Sequence, residues 1–186
     1  MALEDTGSGV QAVAHETTTS FVQAGPDAAF AALVATYHER LARLAYLLCS
    51  DREQAEDAVS EAYAKVWPRF RRGHVENPPV YLRTAVVNQV RGGLRRRLLE
   101  RREEQRQGVD WREGTSPHRN VEERELLEPA LRRLPAAQRA VIVLRFYEDM
   151  SEEQVATLLG VPTGTVKSRC ARGLTQLRAL VGSSDE

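Results

Sequence analysis

The sequence predicts an all-α protein of two small helical domains joined by a flexible linker. Three observations carry that prediction. Apolar residues recur at helical spacing, and no segment alternates apolar and polar with period two. Between residues 100 and 121 the periodicity gives way to a polar stretch rich in Gly, Ser and Pro.

Composition agrees. Of the 186 residues 28% are charged and 6% aromatic, which suits small helical units better than one thick core. No run approaches the roughly 18 apolar residues of a membrane span. The N-terminus, MALEDTGSGVQAVAHE, has acids where a secretory signal has bases, so a cytoplasmic protein is expected. Cys49 and Cys170 lie far apart in helical patterns and read as buried thiols of a reducing compartment. The histidines are scattered, so neither a metal nor another cofactor is expected. A phosphate-binding glycine loop, a His-Glu-X-X-His pair and a nucleophile elbow are all missing, which argues against an enzyme.

Along the chain, residues 1–26 read as a disordered tail ending at Gly25-Pro26. Asp27 is the expected cap of a first helix whose inward face is Phe30, Leu33, Val34, Tyr37, Leu41, Leu44 and Leu48. Ser50 or Asp51 starts a second helix, with Ala55, Ala58, Val59, Ala62 and Val66 inward and Pro68 as its stop. A loop from Arg69 to Asn77 comes next. Asn77 before Pro78-Pro79 then starts a third helix, with Leu82, Ala85, Val86, Val90 and Leu94 on one face. Gly92-Gly93 weakens that helix by roughly 1–2 kcal/mol of propensity, so it bends or ends there. The first domain is therefore set at 27–99, the linker at 100–121 and the second domain at 122–182. Short helices are expected in the second domain near 122–133, 136–147, 151–159 and 163–180.

The second domain closes on GVPTGTVKSRCARGLTQLRAL. Gly160 suits a left-handed cap, Val161-Pro162 makes a corner, and Thr163 can cap the next helix. This is the layout of a helix-turn-helix, whose second helix enters the major groove. Val166, Cys170, Leu174, Leu177 and Val181 share the packing face of that helix. Thr165, Ser168, Arg172 and Thr175 lie opposite, flanked by Lys167 and Arg169, and no acid occurs from 163 to 181. Ser168 and Arg172 are placed for base edges, Lys167 and Arg169 for phosphates or neighbouring bases.

In the third helix Thr84, Asn88, Arg91 and Arg95 form a stripe opposite the apolar one. Residues 83–106 hold eight arginines and three acids, a net of +5 suited to a phosphate backbone. Asn88 is either a base contact or merely exposed. The second helix has the opposite sign, with Glu53, Asp57, Ser60 and Glu61 turned outward. That face is either solvated surface or a docking face for a basic protein. Across the chain 26 basic residues match 26 acidic ones, so charge is segregated rather than absent. A neutral chain gains little non-specific affinity for DNA and would work best when a larger partner holds both basic faces on the duplex.

DREQAEDAVSEAYAKVWPRF, PPVYLRTAVVNQVRGGLRRR and LRRLPAAQRAVIVLRFYEDMSEEQVATLLGVPTGTVKSRCARGLTQLRAL together resemble the bacterial extracytoplasmic-function sigma factors of the sigma-70 family, in an actinobacterial style. The resemblance covers roughly residues 27–181. It implies a promoter-specificity subunit that partners core RNA polymerase, at its largest-subunit clamp helices and flap, and promoter DNA. It gives Glu53, Asp57 and Glu61 to core docking. It gives Arg71, Arg72, Asn77, Thr84, Asn88, Arg91 and Arg95 to the minus-ten element, where the 69–77 loop would cradle a flipped base. It gives Thr165, Lys167, Ser168, Arg169 and Arg172 to the minus-thirty-five element, and an anti-sigma partner is compatible with it. The departures are Cys170 and Gly173, where bulkier or alanine-like residues are expected, and the Gly92-Gly93 pair. The alternative from the residues is an autonomous helix-turn-helix regulator; it would need a dimer interface, and none is evident.

Overall fold

Start and stop signals place most elements of the computed structural model, which describes residues 25–106 and 127–182. Helix α1, Pro26–Cys49, starts after Gly25 and holds Pro26 in its first turn, where a missing N–H costs nothing. Asp27 does not cap it. It sits inside the first turn, its charge set against the helix dipole. Ser50 ends α1 in a left-handed conformation, φ 61°, and its N–H donates to the Tyr46 carbonyl. Asp51 caps α2, Arg52–Arg71, by accepting from the Gln54 N–H at 3.1 Å.

Two expected stops fail. α2 runs through Pro68 to Arg71, so Arg69 and Arg71 belong to its last turn and the loop begins at Arg72. A proline this near the end removes one backbone bond but leaves little helix beyond it to disrupt. Helix α3, Pro78–Arg106, passes straight through Gly92-Gly93. Neither glycine takes a positive φ, unlike Gly73 at 72° and Gly160 at 62°. α3 thus extends past the boundary expected at 99, and residues 100–106 continue it rather than open a linker. The expected N-terminal tail up to residue 24, the linker from 107 to 121 and the helix start at 122 lie outside the described residues.

The C-terminal elements are α4 (Leu127–Arg133), α5 (Ala136–Ile142), a single π-helical turn (Val143–Tyr147), α6 (Glu152–Leu159) and α7 (Thr163–Gly182). Ser151 and Gln154 form a reciprocal capping box at the start of α6, which ends on left-handed Gly160. Thr163 is already helical. The Pro162 carbonyl accepts from the N–H groups of Thr165 and Val166, so the corner residue rather than Thr163 opens α7. Among the described residues there is no strand.

α1, α2 and α3 pack pairwise around Leu44, Val59, Val66, Leu82 and Val86, and α4–α7 pack around Leu144, Val141, Val155 and Val166. Each such side chain contributes about 1.5–3 kcal/mol on burial. The two sets of buried residues join into one continuous cluster, because α1 also packs on α4, α5 and the π turn. Gly173, buried on α7, faces Ile142 of α5; a Cβ there would lie 2.6 Å from Ile142 Cδ1. The unexpected glycine is what lets the two helices close.

Candidate nucleic-acid and protein interfaces

Glu53, Asp57 and Glu61 are all exposed on α2, one turn apart along the helix. Glu61 accepts a hydrogen bond from Gln89 of α3, and Gln89 in turn accepts from Lys65. Glu53 and Asp57 extend the same exposed row toward the helix start. The face is therefore a solvated anionic strip on a rigid helix, able to receive a cationic surface at little cost in side-chain ordering.

The stripe on α3 lies differently from a bare DNA-facing surface. Thr84 donates its hydroxyl to the Val80 carbonyl of its own helix. Asn88, Arg91 and Arg95 line a cleft of about 430 Å³ whose far wall includes Leu159, Val161 and Arg169. Arg91 reaches across that cleft to the carbonyls of Leu158 and Leu159, at 3.1 and 2.6 Å. Asn88 remains exposed. Around the loop, Asn77 caps α3 through the Val80 N–H at 3.3 Å, Arg72 is exposed, and the Arg71 guanidinium stands 6.0 Å over the Trp67 ring. Trp67 packs on Phe30, and Phe30 on Phe70. Sequence reasoning did not single out that aromatic cluster beneath the loop, although Trp67 and Phe70 sit on either side of Pro68.

On α7 the outward residues are held by the helix itself. Ser168 donates to the Thr165 carbonyl at 3.1 Å. Arg172 folds back on the Ser168 carbonyl at 3.1 Å and on its hydroxyl at 3.4 Å. Lys167 pairs loosely with Glu152, 3.6 Å away, with two thirds of its side chain exposed. These are weak exposed contacts, each worth about 0–1 kcal/mol, so base edges and phosphates can displace them. Thr165 and Arg169 are half-buried. Cys170 and Cys49 pack against the core, and burial pushes both thiols above their ordinary pKa. Cys49 also donates to the Asp51 carbonyl at 3.1 Å. Among the described residues no three His, Cys, Asp or Glu side chains gather as metal ligands would, and no helix is long and apolar enough to cross a membrane.

The expected residues thus fall into three groups: an acidic face on α2, a basic stripe with its loop on α3, and the outer face of α7. The structure brings Asn88, Arg91, Arg95 and Arg169 to one cleft and leaves Glu53, Asp57 and Arg172 apart from it. Sequence reasoning missed Glu148, which is buried. It lies between the helices expected at 136–147 and 151–159, where no periodicity flags it.

The chain is similar to known proteins in sequence and in fold. The family described as Sigma-70 region 2 matches residues 33–99, and Sigma-70, region 4 matches residues 124–177. The RNA polymerase sigma-E factor of Streptomyces coelicolor is 35% identical over 153 residues, covering 80% of this chain and 84% of that protein. The ECF RNA polymerase sigma factor SigM of Mycobacterium tuberculosis is 33% identical over 162 residues, covering 86% and 80%. Among solved structures, the sigma factor RpoE in complex with the anti-sigma factor NepR from Bartonella quintana aligns with a TM-score of 0.66 at 27% identity, over 82% of this chain and 96% of that one. CnrH in complex with the cytosolic domain of CnrY has the same fold, with a TM-score of 0.58 at 21% identity, over 91% and 97%.

Proposed function

The chain belongs to the extracytoplasmic-function sigma factors of the sigma-70 family, and from that premise we propose how its residues divide the work. It is a non-catalytic initiation factor that directs core RNA polymerase to promoters, and it works in the cytoplasm. The α2 face of Glu53, Asp57 and Glu61 docks on the basic clamp helices of the largest subunit, while the α4–α7 module engages the flap. Asn77, Arg71 and Arg72 border the pocket that takes the flipped minus-ten base. Thr84, Asn88, Arg91 and Arg95 track the backbone and base edges beside it. On α7, Arg172 and Ser168 read the minus-thirty-five element, with Thr165, Lys167 and Arg169 beside them.

The observation that carries this division is the segregation of sign on a neutral chain. One helix turns Glu53, Asp57 and Glu61 outward in a row, and two other helices present guanidiniums. A carboxylate face cannot lie on DNA, which leaves it free to meet a basic protein, and the basic faces then gain DNA affinity by tethering. Base capture is feasible in such a complex, since unstacking costs only a few kcal/mol. The solved relative with NepR supports an anti-sigma factor as a further partner.

The test is capture of core polymerase by the purified chain. Reversing Asp57→Lys and Glu61→Lys together should cut the retained polymerase by about ten-fold, as for a charge pair set lost from an interface. Unchanged retention would remove α2 from the docking role.

A further inference from the structure

The arginines of α3 do not all face one way. At about 100° per residue, Thr84, Asn88, Arg91 and Arg95 gather on one side of the helix. Gln89, Gly93, Arg96 and Arg97 gather about 150° round from them. This second side is turned away from the duplex that the first would meet, and it borders α2. Arg96 and Arg97 line a trough of about 270 Å³ from α3, Asp57 and Glu61 line it from α2, and Gly93 lies between.

Opposite charges share this trough without joining. Among the described residues no ion pair links Arg96 or Arg97 to Asp57 or Glu61. Glu61 is bonded to Gln89 instead. Gln54 also lines the trough, and its side-chain Oε1 is buried without a hydrogen-bond partner. An acceptor left unmet is costly, so it marks a place for a donor. Gly93 has no evident use inside the chain. Its φ is not positive, and an added Cβ would meet only the flexible end of Arg97, Nη2 at an ordinary 3.7 Å. Glycine within a helix lowers its stability, and its bare backbone suits close approach by something else.

We propose that this trough is the second half of the core-polymerase docking surface, and that Arg96 and Arg97 serve the polymerase rather than DNA. The inference rests on the docking reading of Asp57 and Glu61 above, since both residues belong to the exposed row and to the trough. The occupant is a polymerase helix that carries both signs of charge. A lysine or arginine of that helix enters beside Asp57, Glu61 and the Gln54 amide. An acid of the same helix meets Arg96 and Arg97, and Gly93 lets its backbone come close. A purely basic surface would be repelled by the two arginines, so the paired signs fix partner and register.

The experiment measures core polymerase retained by the full chain carrying Gly93→Leu, or Arg96→Glu with Arg97→Glu. Wild type and the Asp57→Lys, Glu61→Lys chain run alongside, with circular dichroism and urea midpoints as the check on folding. Gly93→Leu should unfold at or above the wild-type midpoint, yet retain about ten-fold less polymerase. The arginine reversal should lose about ten-fold as well. Its run-off transcription should return to the wild-type level when polymerase is raised to saturation, because Arg91 and Arg95 are intact. If either variant loses helix, the other decides. Undiminished retention overturns the proposal, and so does a run-off defect that saturation does not repair, which would give the two arginines to DNA. If the Asp57→Lys, Glu61→Lys chain also retains polymerase normally, the docking reading itself fails. If that chain alone loses polymerase, the docking reading stands and only the trough falls.

Discussion

Gly173 shows how much one missing methyl can decide. Its added Cβ would meet Ile142 Cδ1 at 2.6 Å and Gln138 Cβ at 3.4 Å. Gly→Ala in a helix normally gains about 1 kcal/mol of propensity, while overpacking costs about 1–3 kcal/mol. We expect Gly173→Ala to be destabilising by about 1 kcal/mol in the wild-type background. In an Ile142→Val background, which removes the clashing atom, it should turn neutral or stabilising, and urea midpoints for the four chains would show the coupling. Additive effects would mean that α7 and α5 are not in contact there. Arg172 can be judged at the same scale. Its side chain is exposed and held only by Ser168. Arg172→Ala should lower initiation from promoters that carry its preferred base by about 1–3 kcal/mol and leave promoters altered at that base nearly unaffected. An equal loss on all upstream variants would assign it to phosphate instead.

At the scale of elements, periodicity and most caps were legible in the sequence, Asp27 and Thr163 being the caps that fail, and continuity was not. Asp51, Ser151 and Gly160 do what short-range signals say, because a cap is a contact within a few residues. The inward faces of α1 and α7 were legible for the same reason. Leu41, Leu44, Leu48 and Val166 are buried, and Cys170, Leu174 and Leu177 pack against the core. Pro68 and Gly92-Gly93 misled because propensity is a weak prior that flanking helix and tertiary packing override. This gives a clear expectation for α3. A Cβ at Gly92 would meet nothing within 4 Å, and the backbone there is ordinary right-handed helix. Gly92→Ala should therefore stabilise the protein by up to about 1 kcal/mol in thermal or urea unfolding. Destabilisation would show that α3 does not pass continuously through this pair.

At the scale of the whole molecule, equal numbers of acids and bases say nothing until they are placed. The acidic α2 face and the basic faces of α3 and α7 were legible because a helix fixes which residues share a side. The joining of the modules was not. Arg139 reaches the carbonyl of Leu48 and Arg83 reaches Glu148, across 91 and 65 residues of chain, and no local pattern encodes such pairs. Asn88, Arg91 and Arg95, assigned to one promoter element, thus share a cleft with Arg169, assigned to the other. On the proposed reading the protein acts in company: core polymerase takes the acidic helix, and the two basic helices are laid on DNA. Reconstituted run-off transcription tests that claim most directly. With core polymerase and fragmented genomic DNA, the chain should produce discrete transcripts that disappear when it is omitted and whose start sites share two sequence elements upstream. Transcripts beginning at the same positions without the chain, or none when it is present, would contradict it.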